Sequence, residues 1–179
     1  MNILTVNLLF STLVYWIAVR IYLLPRLPDL SPRAVLVPIL LLHAMRHLGL
    51  MFLSPGAVYE GIPSEFVWPA AIGDLLAALL ALACIAALRI RSAAATPTTT
   101  ATAVTVLLWV FNVEGFVDLM LAITLATVYD AEPFMGPAYW IPAFWVPALL
   151  VTHVVTAIIL LRHGDRLTED RLVRQEAPI

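Results

Sequence analysis

Five apolar runs, each close to or longer than the ~20 residues a helix needs to cross a ~30 Å hydrocarbon core, dominate this chain at 3–24, 34–53, 67–88, 103–128 and 139–161. Proline, glycine and charge punctuate every break, as loops between such runs require. Pro25, Arg26, Pro28, Asp29 and Pro32 interrupt the first pair, and Pro55, Gly56, Glu60, Gly61 and Pro63 the second. Arg91, Pro97 and a threonine run follow the third, and Asp130, Glu132, Pro133 and Gly136 the fourth. The predicted fold is all-α: a polytopic membrane protein of five transmembrane helices forming one domain over 1–179, with a mixed-charge tail at 162–179.

Composition agrees with lipid as the solvent. Hydrophobic residues make up 62% of the chain, charged residues 12%, and mean hydropathy is +0.95, against roughly 45–50% apolar usage in soluble domains. A net charge of −2 offers no basic face for phosphates, so nucleic acid is excluded as a partner. The chain has no lysine, which excludes Schiff-base chemistry with retinal or pyridoxal phosphate. One cysteine, Cys84, cannot make an intrachain disulfide or a CxxC zinc site and reads as a small packing residue. The first run has no positive segment before it and is long for a secretory signal, so it is expected to be a retained helix.

Arginines set the orientation, because short positive loops stay cytoplasmic. Arg20, Arg26 and Arg33 flank the first loop, Arg89 and Arg91 the third, and Arg162, Arg166, Arg171 and Arg174 lie in the tail, while the second and fourth loops have none. Five spans put those arginine-bearing segments on one side. The N-terminus is therefore expected outside and the C-terminus in the cytoplasm, in a cell membrane of the bacterial inner-membrane kind.

Ionisable groups inside such spans are costly, at least ~2.5–3.5 kcal/mol each on insertion scales, and are functional candidates for that reason. Helix two carries His43, Arg46 and His47; helix three Asp74; helix four Asn112, Glu114 and Asp118; helix five His153. Helix one carries none in its middle and is expected at the periphery. At ~1.5 Å per residue these groups fall in one layer in the outer half to the middle of the bilayer. As residues three and four apart share a helical face, His43, Arg46 and His47 are expected to point together. Glu114 and Asp118 share a face with Gly115, and Asn112 points away from Asp118. Asp74 lies on a stripe with Ala70, Ala77, Ala78 and Ala81, small residues that let another helix approach. Three carboxylates and three histidines exceed what one arginine compensates, so a carboxyl carries a proton or a histidine a charge; such mixtures suit acid–base work. The structural alternative has Arg46 neutralising Asp74 or Asp118 and fixing helix register.

Trp140, Pro142, Trp145 and Pro147 open helix five. They read as an interfacial aromatic belt or as a bent, aromatic-lined mouth for an apolar ligand. His43 and His47 have i, i+4 metal-ligand spacing, and His43 with His153 could sandwich a haem. Asp74 follows Ala71-Ile72-Gly73 rather than the Gly-x-Gly-Asp pattern of presenilin-like proteases, and no Gly-x-Ser-x-Gly or Walker loop is present.

A five-helix chain with a histidine-centred helix two, His43, an acid on helix three, Asp74, and a tryptophan on helix five, Trp145, resembles the sterol isomerase and sigma-2 receptor (EXPERA-like) group. The resemblance covers the helix plan. His47 stands where that group's isomerases have a glutamate one turn after the histidine, and the helix-five asparagine is missing, so no residue roles carry over.

The expected function is a membrane enzyme doing isomerase, cyclase or epoxide-opening chemistry on a lipophilic small molecule or lipid, without cofactor or metal. Asp74 or Asp118 would be the acid, His43 or His47 the base, Arg46 the charge anchor, with Glu114 and Asn112 beside them and Trp140, Trp145 and His153 against the substrate. The alternatives are a carrier or proton-coupled transporter subunit, a metal- or haem-binding subunit, and an accessory subunit of a larger complex; assembly as a homo-oligomer is compatible with each.

Overall fold

The computed structural model describes residues 3–89 and 97–176, with side chains over 3–89 and 102–164. Among these residues the structure is helical without a strand. Helix α1 covers Ile3–Ala18 and runs on through a π turn, Val19–Leu23, and a 3₁₀ turn, Leu24–Arg26. Helix α2 covers Pro32–Ala44 and continues as a 3₁₀ helix, Met45–Leu53. Helices α3, Ser64–Arg89, and α4, Pro97–Val128, follow. Short 3₁₀ turns and a π turn, Ile141–Trp145, lead into α5, Val146–Glu176. Five of the described segments are long and apolar enough to cross a membrane: Ile3–Arg26, Pro32–Leu53, Ser64–Arg89, Thr102–Val128 and Gly136–Gly164.

Local chemistry sets the ends. Ser31 caps α2 by accepting from the Ala34 N–H at 3.2 Å, with Pro32 in the first helical position, where its missing N–H costs nothing. Pro97 opens α4, so the threonine run expected in a loop is helical. Helix α4 ends at Val128, and two residues on, Asp130 at φ +48° lets the Ala131 N–H reach back to the Ala126 carbonyl at 2.9 Å. Asp tolerates this left-handed position better than most residues. The tail from 162 differs from expectation: α5 continues to Glu176, and its break from the apolar span is one residue, His163, at φ −135° and ψ 17°.

Helices α2 to α5 form the bundle, with α3 against α2 and α4, and α5 against α2 and α4. Helix α1 packs on α5 and the π turn before it, and only Leu4 in it is buried, so its peripheral placement holds. Its attachment is polar. Pro147 has no N–H for the carbonyl four residues back, and the Ser11 hydroxyl of α1 donates to that Ala143 carbonyl at 2.9 Å. The Asn7 amide donates to the Tyr139 hydroxyl at 3.0 Å, and the Leu4 N–H to Glu132 Oε1 at 3.0 Å. Residues 4, 7 and 11 therefore make one clasping face.

The second and fourth connections interlock through Tyr59 N–H to the Phe134 carbonyl, 2.8 Å, and Ala138 N–H to the Ala57 carbonyl, 2.9 Å. One apolar cluster, containing Phe52, Phe66, Leu119 and Leu149, lies toward these loops. A second, containing Leu40, Cys84, Leu108 and Ile159, lies toward the arginine-bearing end. The buried His43, Arg46, Asp74, Asn112 and His153 sit between the two.

Candidate functional site

The change from α to 3₁₀ winding after Ala44 decides which helix-two residues enter this layer. With three residues per turn, positions 43, 46, 49 and 52 eclipse, and His43, Arg46, Gly49 and Phe52 are all buried. His47 rotates out. It is exposed, its Nδ1 3.0 Å from the Ala44 carbonyl. This corrects the expectation that His43, Arg46 and His47 point together, and it separates the two imidazoles that an i, i+4 metal site would need.

Arg46, 1% exposed, is the hub. Its Nε donates to Asp74 Oδ1 at 2.7 Å, Nη2 to Asp118 Oδ2 at 2.5 Å, and Nη1 to the Gly115 carbonyl at 3.1 Å. Sequence reasoning offered one aspartate or the other as its partner; the guanidinium takes both. Such charge-assisted bonds are short and directional. They also repay the burial of charge only while every partner is present.

Three glycines make room for this cluster. A Cβ on Gly49 would overlap the Asp74 carboxyl, and one on Gly73 would overlap that of Asp118. One on Gly115 would lie 2.6 Å from His153 Cε1 and 2.8 Å from Arg46 Nη1. Each of the helix-two segment, α3 and α4 thus yields backbone space to a polar side chain of the next element, and α4 yields it to Arg46 as well.

His43 and His153 lie together behind the arginine, ring centroids 4.2 Å apart and planes tilted by 59°, and both rings contact Phe111. Thr152 Oγ1 donates to the Ala148 and Leu149 carbonyls, so it accepts from His43 Nε2 at 2.9 Å. Asn112 Oδ1 likewise accepts from His153 Nδ1 at 3.1 Å. The remaining nitrogens, His43 Nδ1 and His153 Nε2, are buried lone pairs without a partner. A spacing of 4.2 Å leaves no thickness for a porphyrin between the rings, so this geometry does not fit the haem arrangement. Glu114 is half-buried at the rim, in a shallow hollow with Trp109, Val113 and Val117, and its Oε2 is buried without a partner.

Beside the triad lies an apolar chamber of about 100 Å³. Leu8 and Leu9 of α1, Ala70 of α3, Ala122 and Ile123 of α4 and Met135 of the fourth connection line it. Asp74 is the one titratable residue in its wall. The expected substrate contacts are elsewhere: Trp140 and Trp145 stack edge to face at 6.1 Å at the head of α5, and His153 is enclosed behind Arg46. None of the three lines the chamber, nor do His43, His47, Asn112, Glu114 or Asp118. The α1 wall was missed because helix one has no ionisable group in its middle; Asn7 and Ser11, four apart, were the signal that this helix has an inward face.

A family model described as Domain of unknown function (DUF8737) matches residues 3–162. No curated protein and no solved structure matches the chain.

Proposed function

This chain belongs to the DUF8737 family, and we propose that it is a multi-pass membrane enzyme that shifts a proton on a lipophilic substrate held in the chamber, with Asp74 as the acid–base group. The observation that carries the reading is that Asp74 belongs at once to the Arg46 triad and to the chamber wall. The guanidinium steadies the carboxylate, Asp118 and the Gly115 carbonyl hold the guanidinium, and the apolar wall excludes water from the reacting carbon. One titratable group in the wall fits a shuttle on an unsaturated carbonyl substrate: Asp74 removes a proton from the carbon between carbonyl and double bond, the electron pair moves into the conjugated enolate, and the same carboxyl returns the proton to the far carbon on the same face. Isomerisation is therefore favoured over cyclisation or epoxide opening.

The N-terminus is placed outside. In support, the interlocked second and fourth connections, which have no arginine, share one end of the bundle with Leu4, and short arginine-free loops face away from the cytoplasm. The chamber then opens in the outer half of the bilayer. A carrier would need a polar route to the other side; the described core toward the arginine end is apolar apart from Cys84 and Thr156.

The test is deuterium exchange in the bound lipid. Wild-type protein in mild detergent and D₂O should place deuterium on carbon in a co-purified lipid, and Asp74→Asn should bind the same lipid without exchange. Equal exchange in both, or no bound lipid in the wild type, overturns the reading.

A further inference from the structure

A second hollow shares α1 and α4 with the chamber. It is a shallow groove of about 360 Å³ between Thr12 and Trp16 of α1, Phe116 and Met120 of α4, and Leu150 and Val154 of α5. The two hollows lie along the same pair of helical faces, since Leu4 and Leu8 of the chamber and Thr12 and Trp16 of the groove are four apart on α1, and Phe116 and Met120 share a face of α4 with Ile123 and Thr127. From Leu4 to Trp16 the seam between α1 and α4 spans twelve residues, about 18 Å at the helical rise. One leaflet's share of a ~30 Å hydrocarbon core is about 15 Å, so the seam has the length of a single lipid tail.

We infer that the α1–α4 seam is a binding site for one extended hydrocarbon chain of a single-chain amphiphile, head at the rim near Leu4 and Thr127 and tail toward Trp16 and Val154. This rests on the chamber being a lipophile site. Asp74 lies ten residues, about 15 Å, into α3 and lines the chamber with Leu8, Leu9 and Leu119, a turn or more in from the Leu4 rim. It therefore faces the interior of the chain rather than its head, and the substrate class is a lipid whose double bond and the carbonyl that activates it lie several carbons from the polar end.

Two photoreactive hexadecanols test this, one with a diazirine on the terminal carbon and one with it beside the hydroxyl, each cross-linked to the full chain in mild detergent and mapped by peptide mass spectrometry. The terminal probe should label Trp16, Met120 and Val154 several-fold over the outward residues Phe10 and Leu76, and the head-proximal probe should label Leu4, Thr127 and Met135. Met120→Trp and Val154→Trp, at partly exposed positions, should each reduce terminal labelling while leaving head-proximal labelling unchanged. A reversed pattern, or terminal labelling spread evenly over lipid-facing residues with head-proximal labelling intact, overturns the seam and leaves the chamber. Absence of labelling by both probes overturns seam and chamber together.

Discussion

Replacing Arg46 by methionine removes the cation from a site where its side chain is 0% exposed and those of Asp74 and Asp118 are 11% and 10%. Both carboxylates then stay nearly buried without their partner, and the Gly115 carbonyl loses its donor. Breaking a buried ion pair from one side costs about 3–5 kcal/mol, and the orphaned carbonyl adds about 1–3 kcal/mol. The expected loss is about 4–8 kcal/mol, comparable with the whole stability of a domain this size, so Arg46→Met should fail to reach the folded state in detergent. The informative variant is Arg46→Met/Asp74→Asn/Asp118→Asn, where no charge is stranded; removing one partner of a buried network costs far more than neutralising the whole of it, and most of the loss should return. The assay is sodium dodecyl sulfate titration from mild detergent, followed by circular dichroism. A single variant within about 1 kcal/mol of wild type, or a triple variant no better than the single, refutes the idea that these three groups compensate one another's burial.

Gly115→Ala puts a Cβ 2.6 Å from His153 and 2.8 Å from Arg46, and overpacking of this kind should cost about 1–3 kcal/mol in the same titration. His43→Ala, at a fully buried ring, should cost about 2–5 kcal/mol, whereas His47→Ala, at an exposed one, should stay within about 0.5 kcal/mol; equal effects would mean helix two continues as an α-helix. In a Cys84→Ala background, Glu60→Cys should react with a membrane-impermeant maleimide in intact cells and Asp29→Cys only after lysis; the reverse pattern inverts the topology.

The sequence carried the spans because length and hydropathy are summed over some twenty residues, and one misjudged residue changes little. It carried the Asp74 stripe for a related reason: Ala70, Ala77, Ala78 and Ala81 are all buried beside it, and small residues at helical spacing have few other uses in an apolar segment. His47 was misplaced because that reading assumes 3.6 residues per turn through Leu53. The 3₁₀ winding of Met45–Leu53 is longer than local preference supports, and it places Arg46 and Gly49 against Asp74, a tertiary gain invisible in the run itself. The chamber was illegible for another reason. It is a gap left by Ala70, Ala122 and Ala126 where α1 stands off α3 and α4, and small residues signal close packing and open space alike. The tryptophans of helix five drew attention by type, but type does not say which way a side chain turns.

The most direct measurement is native mass spectrometry with lipid identification on wild-type protein and on Ala122→Trp, which fills the chamber from a half-buried position and leaves Arg46, Asp74 and Asp118 unsubstituted. A single class of lipophile bound to the wild type and absent from a folded Ala122→Trp is the expected result. Wild-type protein free of any bound lipophile, or equal occupancy in the two, would contradict a chamber built to hold a substrate against Asp74.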